Sequence, residues 1–163
     1  MTGAGELLAD AVARLRQARE LMDVQLVVRS AARALVAADG ATFVLLDGDQ
    51  CYYVDEDSMS PLWAGQRFPA ATCISGWAML NRQSVVIPDI RFDARIPQEA
   101  YRPTFVRSLA MVPVRLADPV GAIGAYWATR HRATAEEIAL LEELAVATAE
   151  ALERVLPLVA AQP

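Results

Sequence analysis

Lysine does not occur in this chain of 163 residues; all 15 basic side chains are arginine. Without an ε-amine there is no Schiff-base chemistry and no lysine to reach nucleotide phosphates, and no glycine-rich phosphate loop is present. A nucleotide-hydrolysing core is therefore not expected. Histidine is almost as scarce. His131 stands alone, and the two cysteines, Cys51 and Cys73, lack CxxC spacing. That leaves too few ligands for a structural zinc site or a three-histidine catalytic one, so no metal is expected. No apolar run approaches the roughly 20 residues that span a bilayer, and the first residues, MTGAGELLAD, are acidic where a secretory leader would be basic. These features imply a cytoplasmic chain without membrane insertion. The net charge of -5 and the scattered arginines argue against a nucleic-acid partner.

What is present suits one folded domain: 55% hydrophobic and 21% charged residues, in a length that offers no room for two ordinary domains. From Glu6 to about Ala38, residues such as Leu8, Val12, Leu15, Leu26 and Leu35 recur at helical spacing. The pattern fits one long helix or two joined near Met22-Asp23. Thr42–Leu46 and Gln50–Val54 flank Asp47-Gly48-Asp49 as a hairpin signal. Residues 55 to 72 read as an excursion whose aromatics, Trp63 and Phe68, tuck back onto the domain. A short helix follows from Ile74 to Leu80, then a strand at Ser84–Ile87 and a structured loop from Pro88 to Pro97. Another helical turn is expected within residues 98 to 106. A second strand pair is expected at Leu109–Arg115 and Val120–Thr129. Thr134-Ala135-Glu136-Glu137 is a capping box that starts a long helix reaching to Pro157. Its stripe, Ile138, Leu141, Ala145, Thr148, Leu152 and Val155, suits packing against the domain's own sheet or a dimer seam, with the first half serving one and the second half the other.

This order of elements, with "TCISGWAMLNRQSVVIPDI" (72–90), "SLAMVPV" (108–114) and "GAIGAYWA" (121–128), resembles a GAF domain over residues 23 to 153. GAF domains are small-molecule sensor modules of bacterial signalling proteins. The resemblance implies an α+β, profilin-like fold: a central antiparallel sheet, N- and C-terminal helices on one face and a ligand pocket on the other. Residues 1–22 would be an N-terminal helix for dimerisation or linkage, and 154–163 the end of the signalling helix and a tail. The pattern looks like the sensors of two-component histidine kinases. It implies a regulatory rather than catalytic domain, a homodimer through terminal helices, and an output domain beyond residue 163. His131 is not set in a phospho-accepting motif.

By resemblance the pocket would be walled by Phe43, Leu45, Cys73, Trp77, Asp89, Arg95, Tyr101, Phe105, Met111 and either Tyr126 or Trp127. The competing arrangement is a collapsed aromatic core that only transmits. Asp89, Asp93 and Arg95 either grip an anionic ligand or brace their own loop. Cys73, just ahead of a helix start, is either an activated thiol or a small buried hydrophobe. Neither cysteine is followed by histidine, so no bilin is expected. The cyclic-nucleotide signature is missing. A thiol enzyme resembling free-methionine sulfoxide reductase would need a partner for Cys73, and residues 88 to 108 offer no cysteine. That enzyme and a ligand-free dimerisation module are the alternatives to a sensor.

Overall fold

A computed structural model describes residues 3–160. Two helices, α1 (Gly3–Arg16) and α2 (Leu21–Leu35), lead into strands β1 (Gly40–Asp47), β2 (Gln50–Ser58) and β3 (Arg67–Pro69). After α3 (Ile74–Asn81) come β4 (Val85–Ile87), α4 (Gln98–Tyr101), β5 (Ser108–Val114), β6 (Gly121–Trp127) and α5 (Ala135–Ala160). The strands form one antiparallel sheet in the order β3-β2-β1-β6-β5-β4.

The N-terminal periodicity resolves into two helices rather than one. Glu20 and Asp23 form a reciprocal cap that starts α2 afresh. The β1–β2 hairpin turns at Gly48, whose φ of 64° favours a residue without a side chain. Phe43 faces Asp55 and Val44 faces Tyr53, so Val54 is the extra residue of a bulge. Val54 packs into the helix-side core and the next residue, Asp55, pairs with Arg29 of α2 at 2.8 Å. Glu56 is thereby turned to the opposite face. The expected turn at Thr134 is present: its Oγ1 accepts from the Glu137 amide at 3.0 Å, and the Glu137 carboxylate accepts from the Thr134 amide at 2.9 Å.

Helices α2 and α5 cover one face of the sheet, and α1 packs against both of them. Alanines 41, 110 and 125 on the strands let Val24, Val28, Leu141 and Leu144 approach closely. Two expectations change here. The stripe of α5 packs inside its own domain along its length: Leu141, Leu152 and Val155 are all buried in this core, so its second half does not form a separate seam. The helix also continues past Pro157 to Ala160. Residues 161–163 of the expected tail, like residues 1 and 2 of the expected N-terminal helix, lie outside the described residues. No helix among the described residues is long and apolar enough to cross a membrane.

Candidate functional site

The other face of the sheet carries a second core, rich in aromatics and thiols. Alternation along β6 sends Tyr126 to this face and Trp127 to the helices. Tyr126 leans back over Gly124. A Cβ at that glycine would lie 2.5 Å from the tyrosine hydroxyl, 2.8 Å from Thr42 Oγ1 and 2.9 Å from Met111 Cε. The bare glycine thus lets the Tyr126 hydroxyl reach Thr42 on β1 at 2.9 Å.

On β2, Cys51 and Tyr53 share this face. The Tyr53 hydroxyl lies 3.0 Å from Ser75 Oγ in the first turn of α3, and Ser75 Oγ lies 3.4 Å from Cys73 Sγ. Gly76 sets α3 against residue 70 so tightly that a Cβ there would meet the Ala70 carbonyl oxygen at 1.8 Å. The last wall is Trp63, held by the loop between β2 and β3. Glu56 accepts the amides of Leu62, Trp63 and Ala64 at 2.8, 2.9 and 2.9 Å. The Trp63 indole N–H donates to the Ala100 carbonyl at 3.0 Å. Its ring sits among Tyr53, Tyr126 and Tyr101, with centroids 5.6, 5.5 and 4.6 Å away. What remains open is a cleft of ≈ 40 Å³ lined by Tyr53, Trp63, Phe68, Cys73, Pro97 and Tyr101, among others. That is room for a few waters, far below the hundreds of Å³ that a drug-sized ligand occupies.

Burial pushes the Tyr53, Tyr101 and Tyr126 phenols up, so all three stay protonated and uncharged at neutral pH. The thiols behave as a pair. Cys51 is completely buried, and the Cys73 thiol first and burial second push its own pKa up. Cys73 is drawn down to about 6, first by that Cys51 thiol and then by Ser75 and the first-turn amides.

Of the expected pocket residues, Cys73 and Tyr101 line the cleft, and Met111 and Tyr126 lie buried behind it. Trp77 and Phe105 pack against the same core partly exposed. Phe43 and Leu45 are corrected. Strand alternation on β1 directs them to the helix side, and Val44 and Thr42 take the site face. Asp89 stands apart from the cleft lining, 3.0, 3.2 and 3.8 Å from Arg91, Arg107 and Arg130. Arg91 first, then Arg107, hold its carboxyl well below the usual carboxylate range. Arg95 pairs with Asp93 at 2.6 Å and lies over the Trp77 ring at 4.5 Å. Asp93 and Arg95 brace their own loop, and Asp89 ties that loop to Arg107 ahead of β5 and Arg130 after β6. The sequence reading missed Tyr53, Ser75 and Cys51 as members of the site, and the thiol beside Cys73 comes from β2 rather than from residues 88 to 108. The period-two pair Cys51 and Tyr53 was the available signal. No cluster of metal-ligating side chains occurs among the described residues.

The family model of the GAF domain matches residues 18–153, and the chain belongs to this family. No curated protein is a detectable relative by sequence. Among solved structures, the chain is similar to the GAF domain of an Acinetobacter phosphoenolpyruvate-protein phosphotransferase (TM-score 0.84, 12% identity, covering 98% of this chain and 99% of that one). It is also similar to free methionine-R-sulfoxide reductase from Neisseria meningitidis in complex with its substrate (0.81, 16%, 95% and 91%). A third is the chromophore-binding domain of the R. palustris bacteriophytochrome RpBphP3 (0.77, 14%, 94% of this chain but 62% of that one). At such identities the likeness concerns the fold.

Proposed function

We propose that the chain is a cytoplasmic, small-molecule-sensing GAF module of a bacterial signal-transduction protein, of the two-component histidine-kinase type, acting as a regulatory rather than catalytic domain. The observation that carries this reading is the aromatic cage itself: three neutral tyrosines around Trp63, on the sheet face opposite the long helices. Trp63 occupies the place a ligand would take, so a small, partly aromatic ligand enters by displacing its loop. The signal then has a short route outward. Trp127, next to Tyr126 on β6, contacts the His131 ring at 4.4 Å, and His131 Nε2 lies 2.8 Å from the Glu137 carboxylate in the first turn of α5. A ligand moves α5 only if it binds one packing of that helix more tightly than the other.

A homodimer through the terminal helices belongs to this proposal, with its seam on their exposed side. Leu7 of α1 and Leu26 of α2, 43% and 44% exposed, border a groove of ≈ 280 Å³ between those helices. Native mass spectrometry of the protein purified from cells, with an absorption spectrum of the same sample, tests both parts. A retained small molecule supports sensing. An empty dimer favours a ligand-free dimerisation module.

One observation favours a second reading, an enzyme resembling free-methionine sulfoxide reductase: Cys51 supplies the neighbouring thiol that Cys73 would need. Reduced protein incubated with free methionine-R-sulfoxide and a thiol reductant tests it by the methionine released. Absence of turnover leaves the sensor.

A further inference from the structure

We propose that Cys51 and Cys73 form a hydroperoxide-responsive dithiol that closes to a disulfide between β2 and the start of α3. Both thiols are free and buried on the same face of the sheet. They belong to one core: Cys51 shares its strand face with Tyr53 two residues on, and Tyr53 and Cys73 both reach Ser75 Oγ, at 3.0 and 3.4 Å. Their exposure differs in a way that assigns roles. Cys73 lines the cleft, whereas Cys51 has no solvent-accessible surface. An oxidant entering from outside meets Cys73 first, and Cys51 waits directly behind it. The cleft of ≈ 40 Å³ admits a molecule little larger than water and excludes bulky disulfides and aryl hydroperoxides.

The chemistry balances with a hydroperoxide as the sole oxidant. The Cys73 thiolate attacks the terminal peroxide oxygen, the O–O bond breaks, and the departing oxyanion takes up the thiol proton as water or alcohol. Cys73 is left as a sulfenic acid. The Cys51 sulfur then attacks the Cys73 sulfur, the S–O bond breaks, and hydroxide leaves with the Cys51 proton as water. Two thiols have lost two electrons and two protons, and the peroxide has taken both. The first-turn amides and the Cys51 S–H favour the thiolate at Cys73, which matches the attacking role. This inference stands on the thiol geometry and holds whether or not the cage binds a ligand.

The test uses the full chain, reduced, desalted and treated with one equivalent of hydrogen peroxide, then alkylated and mapped by mass spectrometry. The expected result is a cross-linked peptide joining Cys51 to Cys73, a loss of two hydrogens from the intact monomer, and full recovery of both thiols with dithiothreitol once the chain is unfolded. Hydrogen peroxide should outpace cumene hydroperoxide by more than it does with free cysteine. Cys51→Ala should leave Cys73 as sulfenic acid, captured when the oxidised chain is unfolded in the presence of dimedone, and Cys73→Ala should leave Cys51 unmodified. Sulfinic acid at Cys73 with Cys51 still a free thiol in the wild-type chain, an intermolecular disulfide, or no reaction would each overturn the proposal. The wild-type map decides the matter even if a variant fails to fold.

Discussion

Replacing Gly124 by alanine adds one methyl group to the site wall, and the structure says where it lands. The new carbon would sit 2.5 Å from the Tyr126 hydroxyl and 2.8 Å from Thr42 Oγ1, well inside the ~3.5 Å of ordinary contact. If the tyrosine swings away, its 2.9 Å bond to Thr42 is lost and a buried hydroxyl goes unpaired, at about 1–3 kcal/mol. If it stays, the overpacked wall costs about 1–3 kcal/mol. Against this, alanine in a strand recovers about 0.5–1 kcal/mol relative to glycine. The expected net loss is about 1 kcal/mol out of a typical 5–15, lowering Tm by roughly 2–4 °C. Equilibrium urea denaturation followed by tryptophan fluorescence reads it. The decisive comparison is the same substitution in Tyr126→Phe, where the nearest atom is gone. There Gly124→Ala should cost about 1 kcal/mol less than in the wild type, a coupling outside the ~0.5 kcal/mol scatter of independent sites. Strict additivity of the two changes would refute the reasoning that Gly124 exists to seat the Tyr126 hydroxyl.

Leu141→Ala, at a completely buried position on α5, should lose about 2–5 kcal/mol in the same denaturation assay without altering the oligomeric state, because the residue faces its own core. Leu26→Glu should instead leave a folded monomer by analytical ultracentrifugation, and an unchanged dimer would move the seam elsewhere. Glu56→Ala removes the acceptor of three loop amides and should shift Trp63 emission to the red as the loop leaves the cage. Ultraviolet titration of the Cys73 thiolate should show a midpoint near about 6 that rises toward the ordinary thiol value, ~8.5, in Cys51→Ala, since the Cys51 thiol is the leading cause of the depression. Asp89 and Asp93 both have folded pKa values below their unfolded ones. The unfolded chain therefore binds protons first as pH falls. The stability they contribute is present above the ordinary carboxylate value of ~3.9 and is lost toward the depressed folded values, so Asp89→Asn should flatten the acid side of the stability curve.

Periodicity made most of the elements legible: the hairpin around Gly48, the capping box at Thr134 and the short helix after Cys73 all stand where local chemistry places them. What periodicity alone did not supply was the side of the sheet. On β1 the inward and outward sets, Phe43 with Leu45 and Thr42 with Val44, are all apolar or small and all follow the same alternation, so only the packing of α2 and α5 decides which set meets the helices. The bulge at Val54 had no sequence signal, yet it puts Val54 and Asp55 on the helix side together and frees Glu56 to organise the Trp63 loop. The partnership of Cys51 and Cys73 was equally hidden. The residues lie on different elements and meet only because β2 pairs beside β1 while Gly76 seats α3 tightly against residue 70.

The cage and the thiol pair meet at Ser75, whose hydroxyl is 3.0 Å from Tyr53 on one side and 3.4 Å from Cys73 on the other. Joining the sulfurs would draw the start of α3 toward β2 and so change the position of Ser75, and with it the hydroxyl that orients one cage tyrosine. By linkage, any ligand that prefers the cage in one redox state must shift the ease of thiol oxidation by the same factor that oxidation shifts its own affinity. Ligand affinity measured on the reduced and oxidised chain, and the peroxide equivalents needed for half-oxidation measured with and without that ligand, must then agree in direction. A ligand bound equally well by both forms would show that the two devices share a residue without sharing a signal.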